Sequence, residues 1–301
     1  MKLMNYEEFE EYVKQNLKIL LPESFQDADI TVKEVRKPGY TYHGMALTKL
    51  DQRFGVIVDL EYYYRIYRKP TPISQILFSI ASLIQENVPA VDLENITDYE
   101  WVSTRLFVRV FNRAWSRDYL QHIPHHAVED LAITPHILVA INGSQISSTP
   151  VTYDLLAGYG VSPEQLFEDA MNNGMRMFPP ELRYLADYLG AERDDRRERI
   201  ITNEHGVNGA AALFYPGEME EIARSIGDDF YAVPTSVHEM IIVPVSASSD
   251  EDEMNRALYR TIREYTDERD WLSDHIYYYD YEHRVFLSVT SEANPEPGQL
   301  S

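Results

Sequence analysis

Apolar positions along the chain switch between two spacings, one of 3.6 residues and one of 2, and the switches mark out its elements. Tyr6, Phe9, Val13, Leu17 and Leu20 recur at helical spacing behind Asn5, with Glu8 three residues further on and Pro22 as a stop, which predicts a capped amphipathic helix. Three strand-like segments follow at 29–35, 40–50 and 55–67. In the third, Val56, Val58, Leu60, Tyr62, Tyr64 and Ile66 alternate with Asp59, Glu61 and Arg65. That period predicts one long, half-buried strand whose outward face carries Tyr63, Arg65 and Tyr67. Thr71 and Pro72 then open a helix with the stripe Ile73, Ile76, Leu77, Ile80, Leu83 and Ile84. Alternation returns at 106–111, a helical stretch is expected over 112–121, and 136–141 reads as a strand closed by Asn142-Gly143.

The middle, 151–190, reads as helical. Ser162 caps it, Pro163 takes the first turn and Gln165 completes the box. Pro179-Pro180 breaks this helix, a second helical piece is expected over 181–189, and the mixed-charge run 191–199 reads as a solvated connection. The densest agreement of local signals lies at 199–245. Ile200 and Ile201 are expected to pair with 210–215 as a hairpin, Met219, Ile222, Ala223 and Ile226 form a helix face stopped by Gly227, and strands follow at 230–233 and 240–243. Ser249 is placed to cap a helix carrying Met254, Ala257, Leu258, Ile262 and Tyr265, and 276–279 with 285–289 form a closing hairpin. The expected class is α+β, with antiparallel or mixed sheets, helices packed on one face and a helical middle. The expected division is an N-terminal α+β region 1–190, a C-terminal α+β domain 191–290 and a disordered tail 291–301.

Composition narrows the functional classes. Cysteine is absent, which removes disulfides, thiolate metal sites and a cysteine nucleophile and fits a reducing cytoplasm. The first eleven residues, with four glutamates, do not have the cationic start of a secretion signal, and the most apolar helical segment, 73–84, falls short of the roughly 20 residues that span a bilayer. A net charge of −22, from 49 acidic and 27 basic residues, opposes binding to nucleic-acid phosphates. It also admits an acidic decoy that mimics a duplex, although the carboxylates are scattered rather than arrayed.

No nucleophile elbow, phosphate-binding glycine loop or zincin motif occurs. No catalytic residue, metal site or cofactor is therefore assigned from motifs. His122, His125, His126 and Glu129 cluster in sequence, and a helix there would put His125 and Glu129 on one face, giving two possible metal ligands with no identifiable third, where a site requires three or four. His238-Glu239 sits at a strand-to-strand turn, where turn stabilisation is the expected role. Asp274-His275 precedes Tyr277, offering a carboxylate beside an imidazole without an accompanying nucleophile. Tyrosine is abundant, at 22 residues, and outward Tyr63 and Tyr67 beside Arg65 have the composition of a protein-binding hot spot.

Several phrases are distinctive together: YEEFEEYVKQNL, IPHHAVEDLAI, GYGVSPEQLFEDAMNN, TNEHGVNGAAALFYPG, FYAVPTSVHEMIIVPV and LSDHIYYYD. They resemble an uncharacterised bacterial family, DUF5688, over nearly the whole chain to about residue 280, and the middle helix and the strand-helix-strand unit are similar to a second uncharacterised group, DUF1444. The resemblance implies a cytoplasmic bacterial protein and assigns no activity, cofactor or catalytic residue. It places His238, Glu239, Asp274, His275 and Tyr277 in the resembling segments. The leading expectation is a non-enzymatic protein that acts by contact with a protein partner or as a homodimer, through Tyr63, Arg65 and Tyr67. The alternative is an enzyme or small-ligand protein with a site near His238, Glu239, Asp274, His275 and Tyr277.

Overall fold

A computed structural model describes residues 3–48, 55–69, 71–86, 93–142, 145–190, 197–248 and 250–289. The chain divides into two compact units, 1–96 and 97–301.

The first unit opens with α1 (Tyr6–Leu17), whose Asn5 side chain accepts from the Glu8 N–H while the Glu8 carboxylate accepts from the Asn5 N–H. The expected capping box is present. A three-stranded antiparallel sheet follows, of β1 (Asp29–Lys37), β2 (Tyr40–Thr48) and β3 (Gly55–Asp59), with β2 central. Then come α2 (Leu60–Tyr67) and α3 (Ile73–Glu86). Phe9, Val13 and Leu17 from α1, Met45, Leu47 and Val58 from the sheet, and Ile76, Ile80 and Ile84 from α3 share one core.

The single strand expected over 55–67 is corrected here. It ends at Asp59, whose carboxylate accepts the Tyr62 N–H at 2.8 Å and starts α2. Leu60, Tyr63, Tyr64 and Tyr67 stand at i, i+3, i+4 and i+7, so the helical period fits the same residues, and the cap decides between the two. Tyr63 and Tyr67 consequently point inward, 9% and 3% exposed, while Arg65 stays outside.

The second unit contains two antiparallel sheets. After α4 (Tyr99–Ser103), the strand β4 (Leu106–Asn112), the short α5 (Arg117–Leu120), β5 (His126–Val128), β6 (Leu131–Asn142) and β7 (Gln145–Pro150) build a sheet in which β6 pairs with the other three strands. Next come α6 (Tyr153–Tyr159) and α7 (Pro163–Met177), the latter capped by Ser162 as expected and packed on β4. The remaining elements are β8 (Pro180–Tyr184), α8 (Leu185–Tyr188), β9 (Arg199–Asn203), α9 (Glu218–Ile226), β10 (Phe230–Ser236), β11 (Glu239–Pro244), α10 (Glu251–Tyr265), β12 (Ile276–Asp280) and β13 (Val285–Val289). Their strands form a six-stranded sheet in the order β13-β12-β10-β11-β9-β8.

On one face of that sheet Tyr231, Val243 and Ile276 pack against Met254, Leu258 and Ile262 of α10. Gly227 ends α9 at φ +72°, the left-handed stop its sequence predicts. Other expectations change. Residues 181–184 are strand rather than helix, because β8 pairs with β9 from Pro180↔Asn203 to Tyr184↔Arg199. The same pairing means that a domain boundary near residue 190 would cut one sheet. Residues 210–213 lie in a 3₁₀ segment, Gly209–Phe214, buried on every side, so no alternation favours a strand. Asp250 caps α10 by accepting from the Asp252 and Glu253 N–H groups. Ser249, Gly143 of the expected turn, residues 191–196 of the charged connection and the expected disordered tail 291–301 lie outside the described residues.

Candidate functional site

The two sheets of the second unit meet at the two-residue turn between β5 and β6. Glu129 takes φ +54°, which lets the chain reverse directly and turns two consecutive carboxylates toward the six-stranded sheet. They land on one cross-strand pair, Tyr277 of β12 and Ser288 of β13. Glu129 accepts from the Ser288 N–H at 3.2 Å and from its hydroxyl at 2.8 Å. Asp130 Oδ1 accepts the Tyr277 hydroxyl at 2.6 Å, and Oδ2 accepts Ser273 Oγ and Asn112 Nδ2, each at 2.8 Å. Three neutral donors thus hold one carboxylate, and charge-assisted bonds of this kind are roughly twice as strong as neutral ones.

Each donor is itself positioned. Tyr277 is fully buried and its ring stacks on Phe286 at 4.9 Å. Burial first, and then the Asp130 charge, push its hydroxyl well above the ordinary phenol range. Asn112 closes β4 and accepts from the Ala114 and Trp115 N–H groups through Oδ1, which fixes its amide toward Asp130. Ser273 also accepts the His275 N–H, placing Asp274 and His275 beside the same carboxylate. One ligand-capable atom from each of Asp130, Asp274 and His275 lies within 4.8 Å of the others. His275 Nε2 stands 3.5 Å from Asp274 Oδ1, and its Nδ1 is sealed from solvent without a hydrogen-bond partner among the described residues.

Asp130 also borders a cleft of about 410 Å³ that Arg113, Arg117, Gln121 and His125 line. Arg113 anchors there by donating to the Glu129 carbonyl at 2.8 Å. His125 Nδ1 lies 2.9 Å from the Ile123 carbonyl. In the neutral ring that contact fixes the proton on Nδ1 and leaves Nε2 as an acceptor.

The five ligand-site residues expected from sequence therefore separate. Asp274, His275 and Tyr277 come together around Asp130. His238 belongs to a different arrangement: its Nδ1 accepts the Asn208 N–H at 3.1 Å, its Nε2 stands 3.4 Å from Asp270, and its carbonyl accepts the Thr202 hydroxyl at 2.9 Å. Those bonds stabilise the β10–β11 turn. Glu239 accepts the Tyr188 hydroxyl at 3.3 Å. In the first unit, the outward tyrosine surface has no strand to carry it. Tyr67 instead stacks on Phe9 at 5.3 Å and accepts the Met4 N–H through its hydroxyl. The helix expected to align His125 with Glu129 is replaced by β5, and His126 stacks on Phe167 at 3.7 Å, where burial lowers its pKa.

Asp130, Asn112, Ser273, Arg113 and Arg117 are the residues that sequence reasoning missed. The available signal was local: an acidic pair, Glu129-Asp130, set between two strand segments where a turn was required. Apart from Asn112, 18 residues before Asp130, its side-chain partners lie 143 to 159 residues away, beyond any periodicity.

No curated protein and no solved structure matches the chain. A model described as a family of unknown function, DUF5688, matches residues 6–281. Covering most of the 301 residues, that match makes the chain a member of the DUF5688 family.

Proposed function

We propose that the second unit is a binding module for a small anionic molecule, carboxylate or phosphate in character, held in the cleft beside Asp130. One observation carries this reading: a chain of net charge −22 gathers two guanidinium groups in one concavity. The one carboxylate in its lining, Asp130, already accepts three hydrogen bonds. Planar guanidinium groups bind carboxylates and phosphates through paired N–H donors, and a concave site strengthens that attraction by excluding water. His125 supplies an imidazole at the same wall, which can accept a proton from a bound hydroxyl when neutral. The interaction reading built on Tyr63 and Tyr67 loses its basis, since both rings are buried.

The test is a thermal-shift and calorimetric titration of the full chain with inorganic phosphate and, separately, with citrate. A ligand at a hundred times its Kd adds about 2.7 kcal/mol, and a unit of this size gains about 2–4 °C per kcal/mol. Arg113→Gln with Arg117→Gln should abolish the shift, measured against the double variant's own melting temperature without ligand, since Arg113 also bonds the Glu129 carbonyl. Absence of saturable binding to either anion, or equal binding by the double variant, overturns the reading.

A further inference from the structure

We propose that Asp130, Asp274 and His275 bind a divalent transition-metal ion at the junction of the two sheets of the second unit. Two carboxylates and an imidazole with ligand atoms within 4.8 Å of one another form the cluster. His275 Nδ1 supplies an independent observation, since it is sealed from solvent and has no hydrogen-bond partner among the described residues. With Nε2 turned toward the Asp274 carboxylate 3.5 Å away, a neutral ring protonated there leaves Nδ1 as a lone pair with nothing to accept, which a cation satisfies.

The supporting residues match what a metal ligand requires. Tyr277, Ser273 and Asn112 fix Asp130 from behind through 2.6–2.8 Å bonds, as outer donors orient ligating carboxylates in metal sites. Asp274 and His275 sit in the irregular stretch before β12 and are partly exposed. Ligand atoms about 2.1 Å from an ion stand about 3.0–3.5 Å apart at adjacent positions. Binding therefore requires those two side chains to close on the fixed Asp130, a movement that rotamer adjustments supply. A mixed oxygen and nitrogen donor set favours Mn²⁺ or Zn²⁺ over Ca²⁺ or Mg²⁺. Three protein ligands leave coordination positions open, and one of the three, Asp130, also borders the cleft of Arg113 and Arg117. The metal site itself requires no anion.

The experiment uses full-length protein stripped with a chelator, in buffer free of phosphate and carboxylates. Mn²⁺ alone is titrated and the free ion read by electron paramagnetic resonance, and Zn²⁺ alone is titrated against a competing indicator. The proposal expects one ion per chain with at least one of the two metals. Asp274→Asn and His275→Gln should each weaken binding tenfold or more while keeping the wild-type far-ultraviolet circular dichroism. Neither variant removes a donor from Asp130, and the circular dichroism checks that folding is preserved. Failure of wild type to bind either ion overturns the proposal, as does wild-type affinity in both variants, which would put the ion among other acidic side chains. Because no anion is present, a negative result leaves the anion reading standing, and loss of phosphate binding in the arginine variant leaves the metal site standing.

Discussion

Tyr277 and Tyr279 lie two residues apart on β12, facing the same side of the sheet, and deleting their hydroxyls should have different consequences. The Tyr277 hydroxyl donates to the Asp130 carboxylate at 2.6 Å, whereas the Tyr279 hydroxyl is buried with no hydrogen-bond partner among the described residues. Tyr277→Phe keeps the ring and its stack on Phe286 and removes one donor from a buried-side charge. A hydrogen bond to a charged group is worth about 1.5–3 kcal/mol. With Ser273 and Asn112 still bound to Asp130, the expected cost is about 2 kcal/mol, or about 4–8 °C for a unit of roughly 200 residues. Tyr279→Phe removes a polar atom that gains nothing from burial, and it should be neutral or stabilising by up to about 1 kcal/mol. The readout is built in: Trp101, Trp115 and Trp271 all fall in the second unit, so tryptophan fluorescence in a urea titration follows that unit. A Tyr277→Phe cost no larger than that of Tyr279→Phe would refute the assignment of Asp130 as the tie between the sheets. A coupling energy near zero in the double-mutant cycle with Asp130→Asn would do the same.

Other outcomes follow from local geometry. A Cβ at Gly209 would lie 2.4 Å from Thr202 Oγ1 and 2.5 Å from the His238 carbonyl, so Gly209→Ala should cost about 1–3 kcal/mol or more by overpacking. Gly158→Ala meets nothing within 4 Å on α6 and should instead stabilise by about 0.5–1 kcal/mol; calorimetric melting compares the two. At the β12–β13 turn the His283 Nδ1 stands 2.8 Å from Asp280, which raises the imidazole pKa and, with the His283 N–H, lowers that of the carboxyl. The histidine contribution is complete below its unfolded pKa and fades as pH rises through the raised value, while the carboxylate contribution fades as pH falls through the lowered one. Asp280→Asn should therefore return the His283 titration, followed by NMR, toward the ordinary histidine value; an unmoved midpoint would exclude the pair as the cause.

Elements whose signals are local were legible in the sequence. Asn5 with Glu8, Ser162 with Pro163 and Gly227 mark helix ends through bonds that reach three or four residues, and all three hold. The stretch at 60–67 misleads because its tyrosines satisfy both periods, and only Asp59, read as a cap rather than as a polar strand position, separates them. Residues 181–184 become strand through pairing with Arg199–Asn203, a tertiary effect that overrides a helical composition. The site shows the same limit. Asp274, His275 and Tyr277 were nominated by their chemistry, whereas Asp130 acquires meaning only when the small sheet docks. His238 and Glu239, nominated for the same reason, are held elsewhere, the first by the bonds of the β10–β11 turn and the second by the Tyr188 hydroxyl.

The Glu129–Asp130 turn also sets an order of events during synthesis. The hydrogen bonds it makes to Ser273, Tyr277 and Ser288 close loops of 143 to 159 residues, and contacts so distant form after local ones. At about 5–20 residues per second the ribosome needs about 7–30 s to reach Tyr277 after Asp130 has been added. Through that interval β4, β5 and β6 can pair with one another and Asn112 can reach Asp130, but the donors from Ser273, Tyr277 and Ser288 are still missing. The site is thus completed by the β12–β13 hairpin and the stretch before it, and a ribosome-stalled chain ending before residue 273 would display the cleft arginines without the Ser273, Tyr277 and Ser288 donors behind them.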